Sequence, residues 1–371
     1  MVKRRIVYIL SNINESIAFE WISTRLDRSK YEIIFIHLNN TEPNLHKWCL
    51  ENGIESNFLR HQGKLNYLKT SIKVYNILRQ LNPEIVHCHL LDANLIGLFT
   101  SKLLGVKKRL YTRHHSTFHH DYHPRAVMLD RVSNYLATSI VAISKNVETV
   151  LLREGVNSNK IKLVNHGFDL ENFKDISSQR IEELKLKYSI SETRKPVIGV
   201  VARYINWKGH QYIIPAFIEV LQNNPNALLI IANANGPFRQ DVESELSKIP
   251  KANLLEISFE KDLFALYQLF DIYVHTPIDS EIEAFGQTYV EALAAQIPSI
   301  FTLSGVANEF ILDKENAIVV PYKDSDSILQ SILFLLGDDN LRTTLKNKGL
   351  ESVQPFNLKT FIAKLEALYL I

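Results

Sequence analysis

The sequence predicts an α/β protein made of two doubly wound, Rossmann-like domains facing each other across a deep cleft. Three observations predict it. At 371 residues the chain is longer than one ordinary core fills, and at roughly 100–200 residues per domain it should hold two. Short β-rich apolar runs alternate with longer stretches at helical spacing, the pattern of a parallel sheet covered on both faces. That alternation stops in a polar segment and restarts after Pro196.

Taken in order, residues 1–175 form the expected N-terminal domain. Its strands are read at Ile6 to Leu10, Glu32 to Leu38, Glu84 to His89, Arg109 to Arg113, Ser139 to Ile143 and Ile161 to Val164. Between them, stretches such as Leu65 to Leu81 carry apolar residues at helical spacing and read as crossover helices. Residues 176–195 are polar, hold one charged helical pattern (Arg180 to Tyr188), and read as a linker. The C-terminal domain, 196–355, has strands at Val197 to Val201, Ala227 to Ala232, Asn253 to Ile257, Asp271 to His275, Ser299 to Thr302 and Ala317 to Val320. A last helix, within 356–371, follows Pro355 with no strand to return to, so it is expected to pack back onto the first domain.

Composition narrows the class. Hydrophobic content of 46% and charged content of 22% belong to a folded globular chain. The opening MVKRRIVYIL breaks at Ser11 and Asn12 without a small-residue cleavage site, so it reads as a first strand. No apolar run approaches the ~18 residues of a membrane span. Two cysteines, Cys49 and Cys88, without metal-type spacing argue against a disulfide framework. A cytoplasmic protein is expected. Net charge is +2, but residues 1–175 carry 24 Lys and Arg against 16 Asp and Glu, and the remainder 18 against 24. A basic N-terminal half suits an anionic acceptor, a phospholipid surface at the inner face of the membrane or a diphosphate-linked lipid, against the plainer reading of ordinary surface charge. No nucleic-acid partner is expected.

Two segments carry the chemistry. Glu283-Ala-Phe-Gly-Gln-Thr-Tyr-Val-Glu291 follows the strand ending at His275: the first acid falls in the loop and the second on the helix that Gly286 opens. The amides of Ala284, Phe285, Gly286 and Gln287 then lie at a helix N-terminus, which favours a phosphate or sugar oxygen. Arg203 and Lys208 sit in the loop after the first strand of the second domain. There they are placed to neutralise a diphosphate, Arg as a planar fork and Lys as a point charge. Alone, such a loop is more often a solvated turn.

Together these segments resemble the retaining GT-B glycosyltransferases of family 4. The resemblance covers most of the chain. It rests on Ala202-Arg203 with Lys208-Gly209, on the Glu283/Glu291 spacing, on Ala142-Ile-Ser144-Lys145, and on Asn165-His-Gly167-Phe-Asp169 running to Phe173. The resemblance implies that Arg203 and Lys208 bind the donor diphosphate and stabilise the leaving phosphate. It implies that Glu291 accepts hydrogen bonds from ribose, that Glu283 with 284–287 contacts the transferred sugar, and that Ser258 and Phe259 lie against the base. Catalytic roles are thus expected for Glu283, His114, Arg203 and Lys208. The donor expected from the resemblance is a nucleoside diphosphate sugar, most commonly UDP-linked, and the expected acceptor a glycan or lipid-linked glycan of a bacterial surface. No metal or other cofactor is expected. Lys208→Ala is expected to cut transfer and leave the fold intact.

On the acceptor side, Tyr111-Thr-Arg-His114 resembles the family's Thr-x-His strand end, and His87-Cys-His89 its other histidine-bearing strand end. His89, His114, His115 and His119 are the candidates there, against the reading of satisfied structural histidines. The cluster His114, His115, His119, His120 and His123 lacks a standard zinc spacing, and its adjacent pairs should diverge. Three family glycines are absent: the first loop is Ser11-Asn-Ile-Asn-Glu15, Gln296 follows the signature helix, and Asn233 opens the segment ending Gly236-Pro237. Rival readings are a GT-B nucleotide-sugar 2-epimerase, a non-catalytic sugar-nucleotide binding module, and a metal hydrolase built on the histidines.

Overall fold

The computed structural model describes residues 3–370. It divides into two compact units, the first running to Phe168 and regaining the chain at Leu358, the second spanning Asp169–Asn357. The division therefore falls a few residues before the expected boundary at 175. The stretch 176–195, read as linker, groups with the second unit.

The first unit is a seven-stranded parallel sheet in the order β3-β2-β1-β4-β5-β6-β7. Its elements run β1 (Arg4–Ser11), α1 (Ile17–Arg25), β2 (Tyr31–Asn39), α2 (Asn44–Glu51), β3 (Glu55–Arg60), α3 (Tyr67–Leu81), β4 (Ile85–His89) and α4 (Leu91–Leu103). β5 (Lys108–Arg113), α5 (Phe118–Tyr122), α6 (Val127–Leu136), β6 (Ser139–Ala142), α7 (Lys145–Arg153) and β7 (Ile161–Leu163) follow. β3 is the strand that sequence reading misses. Its residues Glu-Ser-Asn-Phe-Leu-Arg are half exposed, because it is an edge strand with little apolar patterning. β1 and β4, central to the sheet, are buried on both faces from Ile6 to Leu10 and Ile85 to His89, with His87 and His89 as the polar members of β4. Ser144 caps α7 by accepting from the Val147 amide at 3.1 Å, which fixes the turn after β6.

The second unit is a six-stranded parallel sheet in the order β10-β9-β8-β11-β12-β13. It begins with α8 (Ser178–Lys187), held by the Arg180–Asp262 and Lys187–Glu260 ion pairs. It continues through β8 (Val197–Val201), α9 (His210–Asn223), β9 (Leu228–Ala232), α10 (Glu243–Leu246), β10 (Leu254–Ile257), α11 (Leu263–Tyr267), β11 (Ile272–His275) and α12 (Gln287–Ala294). β12 (Ser299–Phe301), α13 (Ala307–Phe310), β13 (Ile318–Val319), α14 (Ser325–Gly337) and α15 (Asp339–Ser352) complete it. Its core joins Ile198, Val200, Phe217, Ile231, Val274 and Ile332, among others, into one buried cluster.

The closing helix, α16 (Leu358–Leu370), belongs to the first unit. Its buried Tyr369 bonds through the hydroxyl to Tyr8 and to His87 Nδ1, the latter at 2.8 Å. The Tyr369 carbonyl accepts from Arg4 and Lys108, both at 2.8 Å. Gly167 lies against Phe361 so closely that a Cβ there would overlap the ring.

Candidate active site

In open parallel sheets, ligands bind beyond the carboxyl ends of the strands where the strand order reverses. In the second unit that point lies between β8 and β11, which are neighbours in the sheet. The loop after β8 carries Arg203 and Lys208, and the loop after β11 carries Glu283.

The two loops are fastened together by backbone. Ile278 N–H donates to the Trp207 carbonyl at 3.0 Å. Gly209, at φ +80°, lets the chain pass the Thr276 carbonyl with no room for a Cβ. That is the physical reason for a glycine after Lys208. His210, fully buried, bonds through Nε2 to the Arg203 carbonyl at 2.9 Å and so props the same loop from below.

Lys208 Nζ donates to Glu283 Oε1 at 2.5 Å, and His275 Nε2 lies 3.5 Å from the same oxygen. Burial by itself pushes the Glu283 carboxyl up. The Lys208 charge and the His275 ring outweigh it and hold the group down at about 2. Glu283 is therefore an ionised, buried acceptor fixed beside a cation. Its amide donates to Ser304 Oγ at 3.3 Å. Gly305, at φ +58°, passes within 2.7 Å (measured to a would-be Cβ) of the Phe285 carbonyl.

Gly286, at φ +83°, opens α12 without any side-chain cap. The helix N-terminus thus presents backbone N–H groups and the positive end of its dipole beside Ala284, Phe285 and Gln287. One and a half turns on, Glu291 is buried and accepts from the Tyr267 hydroxyl at 2.8 Å. Burial raises its carboxyl to about 7, against the pull of that hydrogen bond. The two acids of one motif thus sit in opposite electrostatic settings.

Arg203 is exposed and anchored through Nε to Asn235 Oδ1 at 3.2 Å. Asn235 Nδ2 in turn donates to the Ser258 carbonyl at 3.1 Å. One asparagine so ties together the loops after β8, β9 and β10. Phe259, 66% exposed, stands beside Ser258. All ten donor-side residues read from sequence come from the carboxyl ends of β8, β10 and β11 or from α12. Sequence reading passed over His275, Ser304 and Asn235, whose only linear signal is position at or just past a strand end, and Tyr267, the last residue of α11, which carries no such signal.

In the first unit the acceptor-side histidines fall into two groups. β1 and β4 pair so that Tyr8 lies beside His87 and Leu10 beside His89. His89 Nδ1 and His114 Nε2 are 2.9 Å apart, and the His114 ring stacks on His166 at 5.8 Å between centroids. Burial holds His114 down at about 3 and His166 at about 4, with the neighbouring rings adding to the effect at His114. At neutral pH His114 is an uncharged dipole. His115 and His119 turn elsewhere, onto Asp130, at 3.3 and 2.7 Å. His120 bonds to Glu154 at 3.0 Å. The pairs 114/115 and 119/120 do diverge.

Ligating atoms of His115, His119 and Asp130 lie within 4.8 Å of one another, a spacing that could accept a metal ion. Arg113, however, already holds Asp130 at 3.2 Å and Glu154 at 2.6 Å. A divalent cation would face that fixed positive charge, and the group reads better as a buried ion-pair network. A cavity of about 650 Å³, lined by Leu91, His119, Tyr122, His123, Arg125 and Leu129, lies beside it. A second, of about 560 Å³, lies at the amino-terminal ends of β4 and β5, near Pro83 and Gly105.

Residues 21–172 match the family described as Glycosyltransferase Family 4, and residues 181–352 match Glycosyl transferases group 1. The capsular polysaccharide biosynthesis glycosyltransferase CapM of Staphylococcus aureus is 25% identical over 313 residues, covering 81% of this chain and 80% of that protein. The alpha-monoglucosyldiacylglycerol synthase of Acholeplasma laidlawii is 25% identical over 314 residues, covering 79% and 76%. The crystal structure of HepE from Anabaena with UDP and glucose superposes with a TM-score of 0.84 at 18% identity, over 99% of this chain and 100% of that one. Two family matches that between them take in nearly the whole chain, on two Rossmann-like sheets, show that it belongs to the glycosyltransferases of GT-B fold that join a Family 4 domain to a group 1 domain.

Proposed function

We propose that this protein is a retaining glycosyltransferase that moves a sugar from a nucleoside diphosphate donor, UDP-linked, to a hydroxyl of a glycan or lipid-linked glycan acceptor. The observation that carries this reading is the Lys208–Glu283 pair, on the loop that also carries Arg203, at the strand-order reversal of the second sheet. A buried carboxylate paired with one cation, Lys208, near a helix N-terminus offers a sugar hydroxyl an acceptor, and Lys208 with Arg203 of the same loop offers a diphosphate its countercharge.

In this reading the bond between the anomeric carbon and the phosphate oxygen breaks while Arg203 and Lys208 take up the charge developing on the departing phosphate. The acceptor oxygen forms its bond to the anomeric carbon from the same face, and its proton passes to a phosphate oxygen. Fixed cations supply the electrostatic term, so the reaction proceeds without a metal ion or other cofactor. An ammonium has three donors, of which Lys208 commits one to Glu283, leaving the others for phosphate. Glu291 receives the ribose hydroxyls, Ser258 and Phe259 flank the base, and neutral His114, held by His89, orients sugar and acceptor. His119 borders the acceptor-side cavity, and His115 shares Asp130 with it. Because CapM is a capsule-building enzyme by its name, surface polysaccharide or lipopolysaccharide synthesis on the cytoplasmic side is the setting proposed here.

The test is a thermal-shift and calorimetric screen against UDP, GDP, ADP, dTDP and CMP, with and without Mg²⁺, comparing wild type with Arg203→Ala. Stabilisation by UDP, independent of Mg²⁺ and lost in the variant, is expected. No response to any nucleotide overturns the reading. Turnover of donor to an isomerised sugar nucleotide without transfer would instead identify an epimerase.

A further inference from the structure

We propose that the outer face of α3, α4 and α6 in the first unit docks on an anionic lipid bilayer. These helices cover one side of the first sheet, α3 packing on α4 and α4 on α6. Eight of the eighteen large apolar side chains exposed among the described residues lie on them or on the turn leading into α3. That concentration is what calls for an occupant, since scattered exposed apolar residues are ordinary on any surface.

The pattern is regular on each helix. Leu65 (98% exposed), Leu68 (77%) and Ile72 follow one another at spacings of three and four along the start of α3. Phe99 and Leu103 are four apart at the end of α4, and Met128, Val132 and Tyr135 (72% exposed) form the same stripe on α6. Lys102 of α4 places its ammonium 4.2 Å from the centre of the Tyr135 ring, so the faces of α4 and α6 are continuous.

Charge selects the occupant. The exposed charged side chains on the three helices are Lys69, Lys73, Arg79, Lys102 and Arg131, all cationic. Their acids are withdrawn: Asp130 is buried against Arg113, and Asp92 accepts from the Tyr67 hydroxyl and lies 3.3 Å from His61. Exposed apolar stripes edged only by cations match an interface of anionic headgroups over acyl chains. A second copy of this chain is a poor fit, because a two-fold interface would bring the same cations against each other. The cavity bordered by Leu91 and Leu129 lies at the start of α4 and within α6, so docking by this face would leave it close to the lipid surface.

The experiment is co-sedimentation of the full chain with vesicles of phosphatidylcholine alone, and of phosphatidylcholine and phosphatidylglycerol in equal parts. Binding to the anionic vesicles only, weakening with added salt, is expected. Lys69→Glu/Lys73→Glu and Leu68→Ser/Ile72→Ser should each lower the partition coefficient about tenfold or more, while Leu186→Ser, exposed in the second unit, changes nothing. All these side chains are exposed, so unchanged melting temperatures check that the variants fold. No binding to anionic vesicles overturns the proposal, as does equal binding to both vesicle types. Concentration-dependent dimerisation abolished by Leu68→Ser/Ile72→Ser would assign the face to a second copy and overturn it too. Vesicle binding needs no donor, so its failure is separable from a failure of the transfer reading.

Discussion

Glu283 is the residue on which the proposed donor site turns, because it is charged in a place that penalises charge. It is 8% exposed, and the ion pair with Lys208 keeps it ionised. Removing one partner of such a pair leaves the other buried and uncompensated, at a cost of about 3 kcal/mol. The sequence-based expectation that Lys208→Ala would spare the fold therefore needs revising. Lys208→Ala should lose both transfer and about 3 kcal/mol of stability, while Lys208→Met/Glu283→Gln recovers much of the stability and none of the transfer. Urea unfolding beside a donor-consumption assay checks this. Equal stability of Lys208→Ala and wild type would mean that the pair contributes little. Spacing of the two acids was legible in the chain, but their opposite settings were not. Whether burial or a neighbouring cation wins at a carboxylate depends on whether an ammonium reaches it, as Lys208 does at Glu283 while Glu291 has the Tyr267 hydroxyl, and those approaches are made through the fold and not along the sequence.

At the scale of elements, the three missing glycines of the resemblance turn out to be missing only as residues. Asn12, Asn233 and Gln296 stand at φ +55°, +60° and +57°, so the left-handed backbone is retained without glycine. Asparagine tolerates that region, its side chain bonding locally, whereas glutamine gains no such relief. Gln296 lies just beyond α12, where a left-handed residue commonly ends a helix. Gln296→Gly should stabilise the protein by roughly 0.5–1 kcal/mol, and Asn12→Gly by less. Thermal unfolding of the two variants decides it; an equal or reversed order would mean that Gln296 is not strained. Strand and helix order was readable wherever apolar runs were long and buried, as in β1, β4, β8 and β9. It failed at β3, where half-exposed Ser56 and Asn57 carry no period-two signal. The segment 176–195 looked like a linker because its helix α8 is polar. Arg180 and Lys187, its ion-pairing residues, lie on the solvent-facing side that composition reads as loop.

At the scale of the whole molecule, the two units should answer acid differently. In the first, burial lowers His37, His87 and His114 to about 3 and His166 to about 4. A base whose folded pKa is depressed stays neutral in the fold but takes a proton when unfolded, so its share of stability is present above about 6.5 and is lost as pH falls towards 3 to 4. At pH 5 that amounts to about 1–2 kcal/mol for each ring, less where neighbouring rings share a proton. The second unit has fewer such groups, His210 at about 4 and His275 lowered. It also has a counterweight: Glu291, raised to about 7, favours the protonated fold, so its contribution grows as pH falls from about 7 towards 4.5. Glu283 opposes only further down, between about 4.5 and 2. Acidification from pH 7.5 to 5 should therefore lower the first unit's melting more than the second's, and scanning calorimetry should resolve a lower transition that parts from an upper one. UDP, if it binds the second unit, should shift the upper transition alone, and Glu291→Gln should flatten that transition's dependence on pH. Two transitions falling in parallel would show that the buried histidines of the first unit do not govern its acid stability.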